Sequence, residues 1–143
     1  MNSSLKFVFC IFIMIMTVTV SVLSQDQTYE PEKKVEVKAS AFCKQVENLN
    51  PIDIGKEFSS DVGKVFFWTS IVTINPPTMI KHVWYYEDEK KLEVPLCIKY
   101  ESTRTWSYKT IYPQMVGKWY VVIVDENNNV VKKCTFKINE NMQ

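Results

Sequence analysis

From about residue 35 onward, apolar and polar residues alternate with the two-residue period of half-buried strands rather than the 3.6-residue period of a helix. Val35, Val37, Ala39, Ala41 and Cys43 share one parity, with Glu36, Lys38, Ser40 and Lys44 on the other. The same stretch places Val35, Ala39, Phe42, Val46 and Leu49 at helical spacing, so two element types compete there. Asn48 to Ser60, holding Pro51 and Gly55, reads as a loop. Lys64 to Ile74 (KVFFWTSIVTI) is apolar on both parities and stops at Asn75-Pro76-Pro77, which predicts a strand covered on both faces. Met79 to Tyr86 predicts the next strand, followed by a turn at Glu87 to Lys90. Leu92, Val94, Leu96, Ile98 and Tyr100 then alternate with Glu93, Pro95, Cys97 and Lys99, and the outward proline predicts a sheet edge. Thr103 to Thr110, Lys118 to Val124 and Val130 to Ile138 complete the set, the last two joined by a turn at Asp125 to Asn129 in which asparagine supplies the positive φ. About seven short strands without a convincing helix predict an all-β fold: an immunoglobulin-like antiparallel β-sandwich, a single domain over residues 35–140.

Upstream, Lys6 is followed by seventeen uncharged residues, Phe7 to Leu23, with small Val22 and Ser24 placed for cleavage before Gln25. Residues 1–24 are therefore expected to be a signal peptide, and residues 25–34 a polar tether. The alternative is an uncleaved membrane anchor over residues 7–23, at the short limit of ~17 residues for a span. Cys10 falls too early for a lipoprotein cleavage box and reads as an apolar filler. The expected location is extracytoplasmic, periplasmic or secreted, with membrane attachment only if the segment is retained.

Composition narrows the chemistry. There are 17 Lys+Arg against 16 Asp+Glu, and cleavage would remove Lys6 and balance them. That leaves no electrostatic footprint for nucleic acid. The three glycines, Gly55, Gly63 and Gly117, stand too far apart for a phosphate loop. One histidine, His82, excludes metal sites that need two imidazoles, and no cofactor or metal is expected. No C-x-x-C spacing occurs among the four cysteines.

The ordered patterns KVFFWTSI (Lys64 to Ile71), HVW (His82 to Trp84), RTWSYKT (Arg104 to Thr110) and GKWYVVIVDENNNVV (Gly117 to Val131), closed by Phe136, resemble the bacterial family catalogued as domain of unknown function 2914. Ala39-Ser40-Ala41-Phe42 and the Pro51 loop fit its opening strand, so the resemblance extends over about residues 35–138. The chain departs from the family at Asn127 to Asn129, where the family tends to have glycine, and at Cys43, Cys97 and Cys134. The resemblance implies a compact extracytoplasmic or membrane-attached β domain and no biochemical role.

Ile80, His82, Trp84 and Tyr86 share one parity of their strand, as do Arg104, Trp106 and Tyr108 of another. If the two strands lie close, His82, Trp84, Arg104 and Trp106 form a polar-aromatic patch suited to stacking on sugars or gripping a peptide carboxylate. The competing reading puts both indoles in the core and satisfies His82 and Arg104 with backbone carbonyls. Ser107 and Lys109, on the opposite parity, are expected to face solvent. Cys97 falls on an outward parity. Cys43 and Cys134 fall on inward parities of the first and last strands, as a disulfide or as two reduced core thiols. Glu87, Asp88 and Glu89 lack calcium-ligand spacing and read as a solvated hairpin tip.

No catalytic set assembles from these residues. The expectation is a non-catalytic binding or interaction module of the bacterial cell envelope, with a protein or an envelope glycan as partner. Its rivals are a small envelope enzyme using His82 with Cys97 or a carboxylate (Glu93 or Glu101), and a membrane-anchored structural domain.

Overall fold

A computed structural model describes residues 34–141. The expected signal or anchor and nearly all of the tether lie outside the described residues. Nine strands run in chain order: β1 (Val35–Glu47), β2 (Asn50–Ile54), β3 (Glu57–Ser59), β4 (Lys64–Thr73), β5 (Thr78–Tyr86), β6 (Glu89–Ile98), β7 (Ser102–Thr110), β8 (Gly117–Asp125) and β9 (Val130–Asn139). They form two open sheets, ordered β2-β1-β4-β7 (sheet A) and β3-β9-β8-β5-β6 (sheet B). All neighbours are antiparallel except β3 and β9, which are parallel. Setting β1-β4-β7 against β9-β8-β5-β6 gives the immunoglobulin-type strand arrangement, with β6 kept beside β5.

The expected alternation holds where it was cleanest. In β4 the inward residues Val65, Phe67, Thr69, Ile71 and Thr73 are all buried, and outward Trp68 is buried as well, in keeping with the central position of this strand. Trp119, Val121 and Ile123 of β8 face Phe136 and Ile138 of β9 on the inner side of sheet B. Pro95 lies on β6, an edge strand whose free side needs no N–H there.

The core centres on Trp84, fully buried on β5. It stands edge-on to Phe42, Phe67 and Phe136 at centroid distances of 6.3, 6.4 and 6.1 Å. Immunoglobulin domains seat a tryptophan on the corresponding strand against a disulfide; here three phenylalanines from both sheets take that role. Each such aromatic pair adds about 0.5–1.5 kcal/mol beyond area burial.

Two expectations change. The segment expected to be a loop, residues 48–60, holds β2 and β3, giving nine strands in place of about seven. Pro51 is compatible with β2 because β2 is an edge strand. The competition in the first element resolves as a strand with a bulge between Val37 and Ala39. Val35 and Val37 begin facing inward, but the extra residue, Lys38, moves the inward phase to Ser40 and Phe42. Cys43 therefore turns to the outer side of sheet A.

Hairpin ends follow local chemistry. Glu87 and Asp88 both take positive φ (46° and 66°), the requirement of a two-residue turn that continues the strand twist. The Glu87 carboxylate accepts the Lys118 backbone N–H at 2.8 Å, tying this turn to β8. At the β8–β9 turn Asn128 has φ 61°, and Asp125 Oδ1 accepts the backbone N–H groups of Asn127 and Asn129 at 2.9 and 2.8 Å. The expected substitution of asparagine for glycine is realised there.

Candidate functional site

Inward-facing His82 cannot reach water, and every polar atom it carries must find a partner inside the sandwich. It does so through hydroxyl groups from sheet A. Ser107 Oγ lies 2.9 Å from His82 Nδ1 and also accepts the Trp84 indole N–H at 2.9 Å. On the other side of the ring, His82 Nε2 lies 3.4 Å from Thr69 Oγ1, whose hydroxyl donates to the Thr105 carbonyl at 3.2 Å. Because Thr69 spends its proton on Thr105, it must accept from His82 Nε2–H. Nδ1 is then the acceptor of the Ser107 hydroxyl. The donors run in one direction, from Trp84 through Ser107, His82 and Thr69 to Thr105, and the network assigns the Nε2–H tautomer. Burial lowers the His82 pKa to about 3, so the ring is neutral at ordinary pH.

This chain joins β5 of sheet B to β4 and β7 of sheet A. It corrects one expectation directly: Ser107 is buried, not solvent-facing. On β7 the usual inference from hydrophobicity is inverted. Ser107 points inward to serve the network and Thr105 contributes its backbone carbonyl, while Arg104, Trp106 and Tyr108 stand on the outer side of sheet A. Thr69 and Thr105 were not singled out from the sequence. The signal that points to Thr69 is an inward histidine, which requires polar partners at the facing inward positions, whereas Thr105 acts through its main chain, which any residue supplies.

The expected quartet is thus divided by sheet A. His82 and Trp84 lie between the sheets; Arg104 and Trp106 lie outside, the first exposed and the second half-buried. Neither carbonyl partner expected for His82 or Arg104 is found: His82 uses hydroxyls, and Arg104 Nη1 donates to the Asn50 side-chain oxygen at 3.0 Å.

The outer side of sheet A carries two cross-strand aromatic rows. Phe66 faces Tyr108 with ring centroids 5.3 Å apart, and Trp68 faces Trp106 in the adjoining row. The Lys64 ammonium sits 4.7 Å above the Tyr108 ring. The Trp68 indole donates to the Leu49 carbonyl at 2.9 Å, fixing the β1–β2 turn at the margin of the face. Leu49 takes φ 63°, a conformation that costs a non-glycine residue about 1–2 kcal/mol, and it is 52% exposed. Tyr108, at 47% exposure, is the most accessible ring of the rows.

Cys97 is exposed on the outer side of sheet B, paired with Met79, whereas His82 faces inward. Glu93, also outward, is held between Lys81 (3.0 Å) and Lys90 (3.2 Å), and those lysines lower its pKa. Glu101 is exposed in the β6–β7 link. None of these joins His82. Cys43 and Cys134 are free thiols. Cys43 is fully buried on the outer side of sheet A, and burial pushes its pKa up. Cys134 faces inward, its sulfur 3.4 Å from Ser40 Oγ. Among the described residues no cluster of three or more His, Cys, Asp or Glu side chains is placed to hold a metal ion.

Residues 77–138 match the family described as Protein of unknown function (DUF2914). The DUF2914 match runs from the start of β5 into β9 and so takes in HVW, RTWSYKT and the β8–β9 hairpin. The upstream patterns, KVFFWTSI included, precede it. No curated protein matches the chain. The DUF2914 match contains four members of the buried network, Trp84, Ser107, His82 and Thr105, with Thr69 supplied from outside it.

Proposed function

We propose that this chain is an exported, non-catalytic interaction module of the bacterial cell envelope, and that its binding face is the outer side of sheet A. The observation that carries this reading is the cluster of outward aromatic rings, exposed Tyr108 with half-buried Phe66 and Trp106 beside buried Trp68, next to Arg104 on a face turned away from the core. A sheet exterior normally presents short polar side chains, and aromatic rings with arginine are the residue types that dominate binding energy at recognition surfaces. Export is argued from the uncharged run of residues 7–23 and the small residues before Gln25.

The role of His82 in this reading is architectural. A neutral, fully hydrogen-bonded imidazole holds β7 in register against β5, and β7 presents Arg104, Trp106 and Tyr108. The test is affinity capture by the full-length chain, processed by its own host, from an envelope fraction. The Arg104→Ala/Trp106→Ala double variant serves as the comparison. The wild type is expected to retain a bound protein or glycan that the folded double variant loses; equal retention by both overturns the reading. Intact mass of the N-terminus checks the export step, with Gln25 expected as the first residue and an unprocessed Met1 contradicting it.

A further inference from the structure

Open sheets have edges, and natural sequences usually disable them. Among the described residues four strands have a free side: β2, β3, β6 and β7. Three are visibly protected. β3 is three residues long, and β2 is five residues long with Asp53 at φ 55°. β6 is bulged opposite Trp84 and Tyr85 and lacks an N–H at Pro95. β7 differs. Its nine residues contain no proline or glycine, it pairs with β4 without a register shift from Ser102 to Thr110, and its composition (STRTWSYKT) favours strand pairing. No backbone hydrogen bond among the described residues uses the free side of β7.

Beside that edge runs a groove of about 460 Å³, lined by Leu92 and Val94 of β6 and by Trp106, Ser107, Tyr108 and Lys109 of β7. Its β6 wall is apolar and its β7 wall carries a cation. The charge on β7 is one-sided: Arg104 and Lys109 with no carboxylate, and Lys64 beside them on β4. Lys109 on an inward parity is itself a device against indiscriminate pairing. It penalises a second copy of β7, which would bring two more cations to the ladder, while Arg104 on the outer face favours a strand bearing carboxylates there.

We infer that β7 is a docking edge for an extended, acidic polypeptide segment of a partner, which adds to sheet A as a fifth strand. The partner's alternate apolar side chains would enter the β6–β7 groove, and its carboxylates, on the outer face, would meet Arg104. This rests on the reading of sheet A as the binding face and names the partner class and the mode of contact.

The test uses the wild-type chain with a synthetic peptide of alternating Glu and Val matched to the length of β7, read by amide hydrogen exchange in NMR. The expected result is slowed exchange at alternate β7 amides, lost when every second peptide nitrogen is methylated. Arg104→Glu is expected to weaken binding about fivefold, which is what the loss of one exposed ion pair removes at its upper range. Three outcomes overturn the inference. They are unchanged β7 exchange at saturating peptide, equal binding of the methylated peptide, and the same protection arising without peptide as the chain self-associates. The methylated peptide leaves the protein unaltered, so the test does not depend on a variant folding. Failure here leaves the wider reading to be judged separately by the envelope capture with Arg104→Ala/Trp106→Ala.

Discussion

His82 Nδ1 lies 2.9 Å from the hydroxyl of Ser107, and both side chains are sealed between two sheets. Ser107 is the hinge of the buried network because one hydroxyl serves two rings: it accepts from Trp84 and donates to His82. A polar group in that position specifies which strands face each other, since any other register leaves an imidazole and an indole N–H unpaired in an apolar core.

Ser107→Ala removes both partners at once. It is expected to destabilise the domain by about 2–4 kcal/mol, as two buried polar atoms lose their bonds. Ser102→Ala, at an exposed position of the same strand, is expected to stay within about 0.5 kcal/mol. Urea denaturation of the two variants side by side measures the difference.

The histidine also sets a pH dependence. Its folded pKa, about 3, is below the unfolded value of 6.5, so the unfolded chain binds the proton more readily. Stability from the neutral ring is therefore full above pH 6.5 and declines as pH falls from 6.5 toward 3, by about 1.4 kcal/mol per unit. His82 is the chain's single histidine, so its imidazole signals in NMR are unambiguous. They are expected to show no titration from pH 8 to 5 while the domain remains folded; an inflection near 6.5 contradicts the network.

Glycine substitutions separate two kinds of backbone demand. Gly117 has φ 131°, and a Cβ there would collide with the Glu87 carboxylate that ties the β5–β6 turn to β8. Gly63 has φ 77° with open space around it. Gly63→Ala is expected to cost about 1–2 kcal/mol, the ordinary price of a left-handed residue. Gly117→Ala is expected to cost more, because φ 131° lies beyond the left-handed helical region and the Glu87 carboxylate must leave the Lys118 N–H to make room. Thermal unfolding midpoints rank the two.

The thiols are predicted to differ sharply in reactivity. Cys97, exposed, is expected to alkylate rapidly in the folded state. Cys43, fully buried with a raised pKa, is expected to react only in denaturant. Cys43 lies on the outer side of sheet A, whereas Cys134, on β9 of sheet B, faces the space between the sheets, so the non-reducing mass of the protein is expected to match the fully reduced one. A mass lower by two hydrogens contradicts this arrangement.

Much of the sandwich is legible in the residues themselves. KVFFWTSIVTI and KWYVVIV are buried inner strands because β-branched and aromatic side chains suit a pleated surface between two layers, and Pro95 marks its edge. What escapes is phase. In the first strand a single extra residue at Lys38 moves Cys43 from the expected inner side to the outer. Alternation alone cannot reveal a bulge. In β7 hydrophobicity points the wrong way: Trp106 and Tyr108 look like core residues and Ser107 like surface. Ser107 is turned inward because His82 and Trp84 must be satisfied, a requirement that appears only once β5 and β7 are known to oppose each other. The candidate site was half legible for the same reason. Arg104 and Trp106 do share a face, but His82 and Trp84 belong to the scaffold behind it.

The most direct test of the outer side of sheet A as the binding face is site-specific photo-crosslinking in cells that produce the chain. Tyr108→p-benzoylphenylalanine places the reactive group on the aromatic face, and Tyr112→p-benzoylphenylalanine, beyond the end of β7 and also exposed, serves as the control. A discrete adduct from position 108, absent from position 112 and lost on Arg104→Ala/Trp106→Ala, is the predicted result. No adduct at 108, or the same adduct from both positions, contradicts the account.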